Sequence, residues 1–111
     1  MGYSRAVVKG PWCFVSGVTG YDYATMTMPD SAAEQARNCF ETIFAALNEG
    51  GFTPDDIVRV QYTVTDAGLV DDIVPVLGAF LGQIRPAATM VIAGLIRPEM
   101  KIEIEVTALK Q

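Results

Sequence analysis

The chain has 111 residues, half of them hydrophobic, with 13 acidic against 8 basic side chains and a formal net charge of −5. That length supports one hydrophobic core and so one domain over residues 1–111. The acidic balance opposes a groove for nucleic acid, and the lack of histidine removes the commonest ligand and acid–base group, so neither metal nor cofactor is expected.

"SRAVVKG" and "WCFVSG" are short β-type runs on either side of Gly10 and Pro11, the pattern of a hairpin. "YDYATMTMPD" follows, polar and aromatic, and reads as a loop carrying Tyr21 and Tyr23. Ser31, with Glu34 three residues on, forms a capping box that opens a helix. Ala33, Ala36, Phe40, Ile43, Phe44 and Leu47 then recur at three and four as one apolar stripe, and Gly50-Gly51 ends it.

"TPDD" is a turn into "IVRVQYTVT", where Val58, Val60, Tyr62 and Val64 alternate with Arg59, Gln61, Thr63 and Thr65, predicting a half-buried strand. "DAGLVDDIVPVLGAFLGQ" reads as a second helix with Ile73, Val76, Leu77 and Phe80 inward. Pro75 fits it if the helix begins near Asp71 or Asp72, within whose first turn no amide is needed. "ATMVIAGL" is a fully apolar strand candidate, and "KIEIEVTAL" closes the chain with strict alternation. No run approaches the ~20 apolar residues of a membrane span. The first ten residues carry no apolar signal region, so a soluble cytoplasmic protein without membrane contact is expected.

The order β-β-α-β-α-β predicts an α+β fold with two helices on one face of a sheet. In the last strand Ile102, Ile104, Val106 and Ala108 share the side that packs on the helices, and Glu103, Glu105 and Thr107 share the other. An apolar excess in so small a domain calls for a closed oligomer that covers this second face and leaves carboxylates in clefts between subunits. Cys13, in an apolar strand, and Cys39, on a helix, lack metal spacing and read as buried free thiols.

Taken together, "YSRAV", "FVSG", "EQARNCFETIFAALNEGG", "DDIVRVQYTVTD", "RPAAT" and "MKIEIEVTAL" resemble the reactive intermediate deaminase family, also called Rid or YjgF-like. The match runs in order from about Tyr3 to Leu109. The resemblance implies a chorismate-mutase-like fold, a mixed sheet, and a homotrimer that binds small molecules in three intersubunit clefts. It also implies hydrolysis of small enamines or imines to carbonyl compounds and ammonia. Carried over, the water-handling glutamate falls on Glu103, the serine-glycine pair on Ser16 and Gly17, and the amino-terminal tyrosine on Tyr3.

The arginine that grips the substrate carboxylate does not carry over. Where the family pattern reads Pro-Ala-Arg-Ser, this chain has Pro86, Ala87, Ala88 and Thr89, followed by Met90. Val74 stands where typical deaminases have an asparagine of the second helix. Ala88, Thr89 and Met90 are then expected to line the pocket, with Thr89 offering a hydroxyl. Arg85, three positions early, either reaches an adjacent cleft or is a surface or salt-bridging residue. Glu103 is either the base that activates water or an interfacial carboxylate paired with a neighbour's cation, and Glu105 is structural. Two functions follow: an imine or enamine deaminase whose substrate is not a standard 2-imino acid, or a trimeric binding or protein-stabilising module without turnover. A ribonuclease role fits poorly with an acidic chain that lacks histidine.

Overall fold

Gly10 takes φ +54°, a setting that side chains resist, and there the first hairpin turns. It joins β1 (Ala6–Lys9) to β2 (Trp12–Thr19) with Ala6 opposite Val15 and Lys9 opposite Trp12. Ser31 then caps α1 (Ala32–Glu49), its Oγ accepting from the Glu34 amide at 3.2 Å, the first half of the expected capping box. Gly51, at φ +82°, supplies the left-handed residue after that helix. β3 (Ile57–Val64), α2 (Val70–Leu81), β4 (Ala87–Ile92) and β5 (Ile102–Leu109) complete the order, as the computed structural model shows over residues 2–111.

The five strands form one mixed sheet in the order β1-β2-β5-β3-β4, in which only β3 and β4 run parallel. The parallel pair needs a crossover, and α2 provides it. Both helices lie on one face. Ala36, Phe40, Ile43 and Leu47 of α1 and Ile73 and Val76 of α2 share a single buried cluster with Val15, Val60, Tyr62, Ile102, Ile104 and Val106 of the sheet. Phe80 stacks on Phe40 with ring centroids 4.8 Å apart and joins the two helices. Cys13 and Cys39 are buried free thiols, both pushed up by desolvation, and Cys39 donates to the Val18 carbonyl at 3.2 Å.

Three local expectations change. Val58 is exposed and Ile57 takes its place in the core, because the β3–β5 register slips between Ile57 and Arg59 and turns Val58 outward. The second helix begins at Val70, behind a 3-10 turn (Ala67–Leu69) that Asp66 caps through the Gly68 amide at 2.7 Å. Pro75 therefore lies in the second turn, not the first; it and Asp71, whose carbonyl loses its donor, are exposed. Finally, β4 is apolar yet mostly exposed: it is an edge strand hydrogen-bonded to β3 alone, with only Met90 packed on the core. It ends at Ile92, opposite the last residue of β3, so Ala93–Leu95 fall outside the strand.

The face away from the helices carries Val7, Trp12 and Phe14 at one edge, Glu103, Glu105 and Thr107 in the middle, and Arg59, Gln61, Thr63 and Thr89 towards the other. Trp12 and Phe14 stack at 6.0 Å and stay partly open to solvent. Among the described residues no helix is long and apolar enough to cross a membrane.

Candidate functional site

The alternation of β2 breaks in its middle. Val15 lies opposite Val106 and Val18 opposite Ile104, so Ser16 and Gly17 together face the one residue Glu105. This two-against-one bulge re-aims the strand and brings Gly17 under the side chain of Glu103. A Cβ at position 17 would stand 2.7 Å from both Cδ and Oε1 of Glu103, closer than atoms approach without contact strain. The carboxyl group occupies the volume that any larger residue at 17 would need. Glycine here serves space, not backbone conformation.

Ser16 works behind this point. Its Oγ donates to the Ser4 carbonyl at 2.6 Å and its amide to the Arg5 carbonyl at 2.9 Å. Those bonds pin the segment that leads to Tyr3. Arg5 in turn donates from Nη1 to the Gly17 carbonyl at 3.3 Å, and its guanidinium lies 5.1 Å above the Tyr23 ring.

The result is an open cavity of about 220 Å³ with Glu103 and Gly17 at its sheet side and Tyr3, Tyr21 and Tyr23 around it. Thr19, Met26, Ile96, Arg97 and Met100 complete the lining. Burial holds the Glu103 carboxyl above the ordinary glutamate range, and the neighbouring Glu105 charge adds to the shift. A carboxyl group so placed can exchange a proton with a ligand closer to neutral pH than a solvated one.

One buried side chain organises both walls. Gln35 of α1, fully buried, donates from Nε2 to the Pro29 carbonyl at 2.8 Å and to the Glu99 carbonyl at 3.1 Å. Its Oε1 accepts from the Lys101 amide at 2.9 Å. The loop before α1 and the segment before β5 are thereby tied to one helix. Tyr21 adds a second tie, its hydroxyl donating to Glu99 Oε2 at 2.6 Å; this bond holds the Glu99 carboxyl below its ordinary range and the Tyr21 hydroxyl above its own.

Of the residues singled out by sequence, Tyr3, Gly17 and Glu103 meet at this cavity, as do Tyr21 and Tyr23 of the aromatic loop. Ser16 supports it from behind. Arg85, Ala88, Thr89 and Met90 are not in its lining; they stand on or before the edge strand β4. Thr89 is on the open face, its Oγ1 accepting from Arg59 Nη2 at 3.3 Å, and strand alternation sends Ala88 and Met90 to the helix side. Arg85 is exposed with φ +53°, and its amide closes the end of α2 on the Leu81 carbonyl at 2.9 Å. Val74 is exposed on α2.

Sequence reasoning passed over Thr19, Met26, Ile96, Arg97 and Met100. The signal for the last two was a turn. The Arg97 carbonyl accepts from the Met100 amide at 3.1 Å, with Pro98 in the second position that favours such turns. Its nearness to Glu103 in the chain marked it as a neighbour. Among the described residues no cluster of three or more cysteine, aspartate or glutamate side chains is arranged to hold a metal ion.

Residues 1–110 match the family model described as Endoribonuclease L-PSP. A RutC family protein of Leuconostoc mesenteroides subsp. cremoris is 31% identical over 113 residues, which cover 97% of this chain and 87% of that protein. A crystal structure from Mycobacterium tuberculosis, of a member of the YjgF/YER057c/UK114 family, superposes with a TM-score of 0.89 at 37% identity, covering 98% of this chain and 87% of the other. RidA from an Antarctic Psychrobacter superposes with a TM-score of 0.92 at 28% identity, covering 99% and 89%.

Proposed function

Since the chain belongs to the Rid/YjgF family, whose members bind or deaminate small molecules, we propose that it hydrolyses a small imine or enamine other than a standard 2-imino acid. The observation that carries this reading is the Glu103 carboxyl, half-buried against Gly17 and facing a cavity of about 220 Å³. Glu103 in its ionised form takes a proton from water as the oxygen bonds to the imine carbon. It gives that proton to the nitrogen to complete a neutral aminoalcohol, then takes the hydroxyl proton and delivers it to the nitrogen as the carbon–nitrogen bond breaks, leaving a carbonyl compound and ammonia. A carboxyl group with a raised pKa suits both halves of this exchange.

Three copies close the cleft in this proposal. Their open sheet faces, with Val7, Trp12 and Phe14 unshielded in one chain, supply the apolar contact, and a neighbour's β4 brings Thr89 of its open face, the backbone of Ala88 and Met90, and Arg85 of the loop before it towards the Glu103 cavity. The missing arginine at position 88 is what turns the reading away from ordinary 2-imino acids. It also supports a second reading, a trimeric binding or protein-stabilising module without turnover. The net charge of −5 weighs against an RNA substrate, whose phosphates seek basic surface.

Ammonia release from freshly generated 2-iminopropanoate and from bulkier imines decides between the two. Turnover of an imine other than 2-iminopropanoate that Glu103→Ala abolishes, with the oligomer intact by light scattering, establishes the hydrolase. No release from any imine establishes the binding module.

A further inference from the structure

Ligand recognition at the Glu103 cavity needs a group that can tell one small molecule from another, and among the described residues its lining contains one cation. Arg97 sits in the turn Arg97–Met100, whose own hydrogen bond closes at 3.1 Å. The turn is held from two sides: Gln35 takes the Glu99 carbonyl and the amide of Lys101 just after the turn, and Tyr21 takes the Glu99 side-chain carboxylate. That second bond engages an oxygen of Glu99, the carboxylate nearest Arg97 in the chain. Arg97 is exposed at the mouth, while Glu103 is half-buried at the sheet. The two charged groups therefore line one cavity, one open to solvent and one half-buried. Its volume of about 220 Å³ holds roughly seven waters at ~30 Å³ each, the size of a ligand of several heavy atoms.

We propose that Arg97 is the specificity-determining residue of this cavity, gripping an anionic group at the far end of a small carbonyl or imine ligand whose reacting carbon lies at Glu103. Guanidinium forks match carboxylates with two parallel hydrogen bonds and stay charged at every working pH. Tyr3, Met26 and Ile96 give the same lining apolar surface for the ligand's carbon chain. Arg85, on the loop before β4, does not take this place within a chain. The ligand class that results is a short ω-carboxylate in which the carboxylate is separated from the reacting carbon.

The inference rests on the Glu103 cavity as the binding site but not on turnover, so it is tested by binding. Two probes of equal size serve, 4-oxopentanoate and its neutral counterpart 4-oxopentanamide, titrated against the full chain by NMR. The wild type should prefer the carboxylate about tenfold or more, the strength of one charge-assisted contact. Arg97→Ala should bind both probes alike, and Arg97→Lys should keep part of the preference, which a merely structural role would not restore. Equal binding of the two probes by the wild type, a preference untouched by Arg97→Ala, or no saturable binding of either probe overturns the proposal. A preserved charge preference without ammonia release from any imine leaves Arg97 in place and removes only the hydrolase reading.

Discussion

Gly17 and Glu103 claim the same few cubic ångströms, and the glutamate holds them. Gly17→Ala should drive the carboxyl aside, because the atoms it meets are the far end of a flexible side chain. The fold should then survive with a loss of about 1 kcal/mol, while ligand binding at the cavity falls at least tenfold; a thermal melt beside an NMR titration reads both. For Glu103 the sign of the pH effect follows from its raised pKa. The fold disfavours the charged form, so the group's stabilising contribution is present below the unfolded glutamate range and is lost as pH rises through the folded value. Glu103→Gln should therefore be as stable as the wild type or more so at ~pH 7, with that advantage gone near ~pH 4. Urea unfolding at the two pH values checks this, and a variant less stable at the higher pH would show that the carboxylate is favourably paired. Arg85 is a residue-scale case of another kind. At φ +53° a side chain costs on the order of 1 kcal/mol, so Arg85→Gly should hold or raise the melting temperature while removing the guanidinium.

At the scale of elements, Gln35 is the joint on which the cavity depends. It connects α1 to Pro29 in one wall and to Glu99 and Lys101 in the other, through three hydrogen bonds inside the protein. Gln35→Leu keeps the volume but orphans two carbonyls and an amide, and should cost about 2–4 kcal/mol by urea denaturation. A loss under 1 kcal/mol would mean that water reaches those groups. Sequence patterning reached α1 through its apolar stripe, yet it missed Gln35, since a glutamine is read as surface unless its partners are known. The strand patterns were legible in the same partial way. Alternation identified β5 and its two faces throughout, but in β2 and β3 bulges shift the parity, and a bulge is decided by the partner strand. Pro75 falls in the second turn because a 3-10 turn, which apolar periodicity does not mark, starts α2 at Val70 rather than near Asp71 or Asp72.

For the whole molecule, the unresolved demand is the open face. Val7, Trp12 and Phe14 lie exposed at one side of it, and the apolar strand β4 is an unprotected edge. Edges of this kind invite association unless covered. With the proposed trimer, sedimentation should give three times the chain mass of 12.0 kDa. Phe14→Glu should shift the mass towards one chain while the near-native helix signal remains. A wild-type chain that sediments alone would remove the intersubunit cleft, and with it any role for Ala88, Thr89 and Met90 beside Glu103.

The periodicities of the chain determined the β-β-α-β-α-β order, the helix-facing side of β5 and the position of Glu103 on the other side, because each depends on residues within a few places of one another. The family likeness was legible for the same reason, in short runs kept in order. Which side chains meet Glu103 was decided only in three dimensions. The bulge at Ser16 and Gly17, the three-way bond of Gln35 and the gathering of Tyr3, Tyr21 and Tyr23 beside Glu103 all arise from segments far apart in sequence. Pairing and burial between such segments set where a side chain ends up, and no local pattern records them.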